Sequence, residues 1–310
     1  MLHIAEVSES DAITTYPIHR TLWSGSTAFC DSVVIAESPE YGRLLFLDGE
    51  LQSASADERI YHESLVHPVM AATADIRDRR VLVVGGGEGA TVREVLRCPV
   101  AEVVWVDIDA ELVHLCREHL GWAPHVYTNP KVKYLGQDIQ ELISSLGKFD
   151  VIILDLPDPD GDTGYLYSAA FWKDIKGLFR DSESRLVTHV GPVRPFGNIG
   201  AGLQRVWKEA NIGGIDPWKY GFYQITIPSF QGSWGFWMSG SAPFSTRRET
   251  ISLPGSLHVV DVEQMIQWAQ PPKVWRRALE SIPTTVAFGV CTIFREHICE
   301  CSIRYIDSSD

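Results

Sequence analysis

The chain has 310 residues, 45% of them hydrophobic and 22% charged, and a formal net charge of −13. That is the composition of a globular protein, long enough for one large domain with a smaller one attached. A surface this acidic repels nucleic acid and anionic membrane and accommodates cationic ligands, and no apolar run approaches the roughly 18 residues of a spanning helix.

Residues 1–17 carry Glu6, Glu9 and Asp11 without a basic cluster, unlike a signal peptide. Residues 18–56 read as short strands. Residues 32–36 and 43–47 are strand-like, and Asp48-Gly49 is a hairpin turn signal. From 57 to 74 the pattern is helical, with Ile60, Leu65, Val66 and Met70 near one face and Asp57 as the candidate cap. A strand–helix rhythm follows: strands at 80–84, 103–106, 132–135, 151–154 and 185–190, with helices at 91–97, 110–120, 139–146 and 169–179. Such alternation predicts an α/β fold with a Rossmann-like, doubly wound parallel sheet. Its ligands belong beyond the carboxyl ends of the strands. Past Gly191 the expected elements are helices at 203–210, 260–269 and 273–282, antiparallel strands at 220–227 and 234–238, and a terminal hairpin within 285–310. The chain thus divides into an N-terminal β unit (1–56), a catalytic unit (57–284) and a C-terminal extension (285–310). Its six cysteines are scattered, as in a cytoplasmic protein with reduced thiols. Cys299, Cys301 and His297 lack a fourth ligand, so no metal is expected.

Three constellations carry chemistry. In the first, the apolar run ending at Val84 enters Gly85-Gly86-Gly87-Glu88-Gly89 and opens a helix, a turn that lets a ligand approach the backbone. Asp107 closes the next strand, 20 residues past Gly87, where an acid accepts both ribose hydroxyls. The spacing also fits a dinucleotide fingerprint, so Glu88 has to arbitrate. A pyrophosphate against that turn would meet its carboxylate, and like charges about 4 Å apart cost on the order of 4 kcal/mol at an effective dielectric near 20. A nucleoside bearing a sulfonium gains instead. In the second, an apolar strand ends in Asp155-Leu156-Pro157-Asp158, two carboxylates suited to an ammonium, although Asp and Pro also build plain turns. The third is Asp57-Glu58 with Tyr61-His62-Glu63, which on its own reads equally well as an amphipathic helix. Asp138 is either a partner for an adenine amino group or a helix cap.

These segments resemble the aminopropyltransferases, the spermidine, spermine and thermospermine synthases, from about residue 22 to residue 279. The matching motifs are Leu47-Asp48-Gly49 with Gln52, Asp57-Glu58, Tyr61-His62-Glu63, the glycine turn with Glu88, Asp107-Ile108-Asp109, and Asp155 with Asp158 followed by Leu166-Tyr167-Ser168. Ile227-Pro228-Ser229-Phe230 and Trp234-Gly235 are closest to the thermospermine synthase branch. The resemblance implies decarboxylated S-adenosylmethionine as donor, a polyamine as acceptor, and a homodimer. It implies that Gly85, Gly87, Glu88, Asp107, Asp138 and His62 bind the donor, that Asp155 is the catalytic carboxylate assisted by Tyr61, and that Gln52, Asp158 and Trp234 belong to the acceptor side. Two positions depart from the family. Phe29-Cys30 stands where Tyr-Gln is usual, and His189 stands where the thermospermine-like branch has Gln.

The implied reaction is a direct displacement, in which an amine nitrogen attacks the methylene next to sulfur and methylthioadenosine leaves. The leaving group is already activated, so alignment is the main requirement. An alkylammonium near pKa about 10 does not hand its proton directly to an ordinary carboxylate near about 4. The acid therefore orients the amine and relays its proton. The alternatives are a methyltransferase using intact S-adenosylmethionine, a non-catalytic polyamine-binding protein, and a nicotinamide-dependent dehydrogenase. An intact donor would bring its carboxylate toward Glu88 and Asp155, a clash of about 1.4–3 kcal/mol, or roughly 10- to 150-fold in affinity.

Overall fold

A computed structural model of the chain describes residues 2–7, 13–73, 76–157, 164–193, 221–239 and 252–268. Asp158, the helices expected at 203–210 and 273–282, and the expected terminal hairpin lie outside the described residues.

The chain opens with a hairpin, β1 (Leu2–Val7) and β2 (Ile13–Ile18), which pattern alone did not reveal. An antiparallel sheet follows in the order β3 (Arg20–Gly25), β4 (Val33–Ser38), β5 (Gly42–Leu47), β6 (Glu50–Ala54). The turn between β5 and β6 places Asp48 at φ 50° and Gly49 at φ 90°, the two positive φ values of a tight hairpin. The period of two then sorts β4 between two cores. Val34 and Ala36 pack with Tyr16, Leu44 and Phe46. Val33 and Ile35 pack with Leu112, Leu115, Cys116 and Leu120, which come from the third helix of the chain and its C-cap.

The first helix, α1 (Glu58–Ala72), has Asp57 at its N-cap position, but the Asp57 side chain does not cap it. That carboxylate instead accepts hydrogen bonds from Ser229 N at 2.7 Å and Ser229 Oγ at 2.8 Å, so the expected local cap is replaced by a long-range tie.

The central sheet contains β7 (Arg80–Gly85), β8 (Glu102–Val106), β9 (Val132–Leu135), β10 (Val151–Asp155), β11 (Arg185–Pro192), β12 (Phe222–Ile227) and β13 (Gly232–Ser239). Among the described residues its order is β12-β13-β11-β10-β7-β8-β9. β11, β10, β7, β8 and β9 run parallel, while β13 is antiparallel to both β11 and β12. Between the strands lie α2 (Ala90–Val95), α3 (Ala110–His119), α4 (Ile139–Leu142) and α5 (Ala169–Gly177), and α6 (Val262–Trp268) follows β13. In β7, Val81 and Val83 face the core that holds Leu65, Val69 and Trp105, whereas Leu82 and Val84 face the core that holds Ile152, Leu154 and Trp172. Burial on both faces explains the unbroken apolar run, and each such side chain contributes about 1.5–3 kcal/mol. The strand order reverses between β7 and β10, where Gly85 pairs with Asp155. This is the switch point at which an open α/β sheet binds its ligands.

Candidate active site

The site is built on the turn after β7. Gly85, Gly86 and Gly89 have φ values of 81°, 66° and 76°, which side-chain-bearing residues rarely adopt. Close approach matters as much as φ. A Cβ on Gly85 would lie 2.0 Å from the Asp155 carbonyl oxygen. The absence of side chains lets Gly86 N donate to that oxygen at 2.9 Å, which brings the ends of β7 and β10 together.

Asp155 ends β10 with both carboxylate oxygens engaged. Tyr61 donates its hydroxyl to Oδ1 at 2.7 Å, and Thr91, in the first turn of α2, donates to Oδ2 at 2.6 Å. The Tyr61 ring is held by Phe236 at 5.5 Å, Phe230 at 6.2 Å and His189 at 6.2 Å between centroids. One residue along, His62 has a side chain only 1% exposed. Its Nδ1 sits 2.9 Å from Glu58 Oε2, and its Nε2 sits 2.8 Å from Glu88 Oε1. Burial works against a charge on this ring, but the two flanking carboxylates raise its pKa to about 10. His62 therefore bears on the site through Glu88. Burial pushes the Glu88 carboxyl up, opposed by His62.

Asp107 follows β8 and is buried. Its Oδ1 accepts from Asp109 N at 2.9 Å, yet burial, joined by the neighbouring acids, pushes its carboxyl to about 7. It approaches the turn from the other side, because a Cβ on Gly87 would lie 3.2 Å from Asp107 Oδ2. Asp109 caps α3 by accepting from Leu112 N, and it also accepts the Thr27 hydroxyl from the β3–β4 loop. That loop carries Cys30, half-buried, whose thiol is pushed up to about 11 by burial and nearby acids.

The remaining expected residues each have partners of their own. Asp138 caps α4, accepting from Gln140 N at 2.9 Å, and stands 3.5 Å from the Tyr165 hydroxyl. Gln52 sits on β6 with its amide nitrogen 3.4 Å from Glu50 O. Trp234, on β13, lies against Phe230 at 4.8 Å and stacks on His189 at 5.9 Å and 26°. His189 in turn holds Leu156 O at 2.5 Å through Nε2. Thr91 was not legible as a site residue. The signal available was a hydroxyl-bearing residue in the first turn of the helix that the glycine turn opens.

Residues 58–182 match the spermine/spermidine synthase domain. A polyamine aminopropyltransferase 2 of Pseudomonas aeruginosa is 35% identical over 244 residues, which are 75% of this chain and 66% of that protein. A polyamine aminopropyltransferase of Aeropyrum pernix is 32% identical over 290 residues, covering 87% of this chain and 88% of the relative. The chain belongs to the polyamine aminopropyltransferase family. It is therefore a transferase, and its fold agrees with solved members. A spermidine synthase in complex with the transition state analogue AdoDATO superposes with a TM-score of 0.77 at 20% identity, over 90% of this chain and 95% of that one. The Thermotoga maritima spermidine synthase also gives 0.77, at 19% identity.

Proposed function

We propose that this aminopropyltransferase moves an aminopropyl group from decarboxylated S-adenosylmethionine to a di- or polyamine and releases methylthioadenosine. The carrying observation is the cluster at the switch point. Asp155 is held by Tyr61 and Thr91, Glu88 stands on the glycine turn, and Asp107 approaches that turn from the end of β8. A cationic donor and a cationic acceptor both suit this concentration of acids, whereas a phosphate or a donor carboxylate does not.

In this reading Asp107 accepts the donor's ribose hydroxyls and Asp138 its adenine amino group. Gly85 and Gly87 admit the nucleoside against the backbone. Glu88 and Asp155 receive its amino end. Gln52, Asp158 and Trp234 border the acceptor. The acceptor nitrogen gives its lone pair to the methylene carbon beside sulfur. The carbon–sulfur bond breaks with its electrons on sulfur, and the new ammonium loses its proton toward solvent past Asp155. Tyr61 and Thr91 fix both Asp155 oxygens, so the carboxylate aligns the amine without rotating. Residues 1–56, 57–284 and 285–310 are taken as N-terminal, catalytic and C-terminal units. The finer assignments are an acceptor of the thermospermine synthase type, a homodimer, and a cytoplasmic location. Free thiols at Cys30, Cys98 and Cys116 support the last.

Mass spectrometry of products from a panel of diamines and polyamines, offered with decarboxylated or intact donor, tests the proposal. Amines gaining an aminopropyl unit only with the decarboxylated donor are expected. Methylated amines made from the intact donor would overturn it.

A further inference from the structure

We infer that Arg93 is a positioning residue for the donor site, acting on Glu88 through Glu58 and His62. The inference rests on the reading of Glu88 as the seat of the donor's amino end. Arg93 lies inside α2 with its side chain 6% exposed. Its Nη1 and Nη2 donate to Glu58 Oε1 at 2.9 Å and Oε2 at 2.8 Å, and its Nε donates to Glu94 Oε1 at 2.9 Å. Glu58 then holds His62, and His62 holds Glu88 at 2.8 Å. Glu94 continues the row to His67 Nε2 at 3.0 Å.

From the site inward the charges alternate: Glu88 negative, His62 positive, Glu58 negative, Arg93 positive, Glu94 negative. Buried ion pairs are often no more stabilising than apolar side chains of the same volume. A buried row of them is poorly explained by the fold alone, and this one ends on the carboxylate that meets the donor. Each link keeps the next one charged. Burial works against the Glu58 carboxylate, yet His62 and Arg93 hold it down at about 2. Without the guanidinium, Glu58 faces burial with His62 as its main partner and its anionic form is disfavoured. The imidazolium then loses one of its two anions and tends to neutral. Glu88, pushed up by burial and by Asp155, then lacks the imidazolium that opposed this, takes a proton and no longer attracts an ammonium.

Other groups face this row from every side. Tyr61 and Arg59 come from α1, Asp155 from β10 and Asp107 from the end of β8, with Cys116 of α3 and Tyr127 also near Glu88, and at the far end Arg97 and Arg59 reach Glu94 at 3.5 and 4.0 Å. Among these, Arg59 is the cation nearest Glu58, but its Nε is 3.8 Å away and its side chain is 40% exposed, so it cannot replace the two-pronged contact. A cavity of about 670 Å³ opens behind the row and is lined by Glu58, Arg59, Arg93 and Trp122. It gives a small cation access to the place Arg93 occupies.

The test is steady-state kinetics of Arg93→Ala, with donor and acceptor varied separately across pH. At neutral pH the donor KM should rise at least tenfold, about 1.4 kcal/mol. The acceptor KM should hold, and kcat should change by less than about threefold, since Asp155 and Tyr61 are untouched. The defect should shrink as pH rises, because Glu88 then loses its proton. Methylguanidine entering the cavity should restore donor affinity, and methylammonium, lacking the planar fork, should not. Should Arg93→Ala fail to fold, Glu58→Gln carries the same prediction for donor KM and its pH dependence while keeping the volume. A purely structural role predicts lower thermal stability with a donor KM that is unchanged, or changed equally at every pH and not rescued; either result overturns the inference. Glu88→Gln separates the two readings. If it leaves donor affinity intact, the donor-site reading fails and takes the inference with it. If it weakens the donor while Arg93→Ala does not, only the inference fails.

Discussion

Replacing Asp155 by asparagine preserves shape and removes charge at the centre of the cluster. Two hydroxyls now donate to the carboxylate, Tyr61 at 2.7 Å and Thr91 at 2.6 Å. An asparagine amide offers one acceptor oxygen and one NH2 donor, so one hydroxyl keeps its bond and the other faces a donor and has to turn away. Hydrogen bonds to a charged group are worth about 1.5–3 kcal/mol net, and loss of a positioned acid–base group typically costs 10²–10⁴-fold in rate. The expected outcome is therefore a fall in kcat of at least about a hundredfold, or about 2.7 kcal/mol in the barrier. Binding of methylthioadenosine, which lacks the ammonium, should stay within about threefold, and the melting temperature within a few degrees. Single-turnover product formation measured by mass spectrometry, with calorimetric titration of methylthioadenosine on the same preparation, reads both quantities. Near-normal turnover in Asp155→Asn would refute the role given to this carboxylate, whatever happened to binding.

Asp107 gives a pH signature. Its carboxyl is raised to about 7, and ribose hydroxyls are accepted best by the anion, so methylthioadenosine affinity should climb as pH rises toward 7 and level off above it. For the free enzyme the sign is opposite. An acid whose folded pKa is raised binds its proton more tightly when folded, so its contribution to stability declines between about pH 4 and pH 7. Asp107→Asn should flatten both curves, as followed by titration calorimetry and thermal melts. Gly85→Ala places a Cβ 2.0 Å from the Asp155 carbonyl oxygen at a φ of 81°, so β7 and β10 have to separate at the site. Activity should vanish and the melting temperature drop by more than about 5 °C; an active, equally stable variant would contradict the close approach. Glu63 is fully buried and accepts from the backbone N–H groups of His258, Val259 and Val260. Glu63 Oε2 accepts from all three and Oε1 from His258 alone, so Glu63→Gln can keep its amide oxygen on the three donors but removes the charge and turns its NH2 toward His258 N. It should cost about 1.5–3 kcal/mol and raise proteolytic cleavage near residue 258, with donor KM nearly unchanged.

Much of this protein is readable in one dimension. The unbroken apolar runs of β7 and β10, the glycines between Val84 and Ala90, and the acids that end three strands follow from local rules. Strand period, turn sterics and the position of strand ends all act over a few residues. These rules place Gly85, Glu88, Asp107 and Asp155 at one edge of a parallel sheet before any contact is known. The hairpin β1–β2 escaped notice because the residues between its strands carry no tight-turn signal and its partly exposed strands show only weak alternation. Asp57 obeyed a correct local rule as a candidate cap and was drawn away by Ser229, 172 residues along the chain.

What the sequence determined by itself was the fold class and the charge character of the site, because both follow from side-chain type at a fixed spacing. Tertiary structure alone decided which acids work together. Thr91 reaches Asp155 only because the glycine turn lets α2 start against β10. Arg93 reaches Glu58 only because α1 packs on α2. Such pairs have no sequence period, and their energy depends on burial, which removes the water that would otherwise screen one charge from the next.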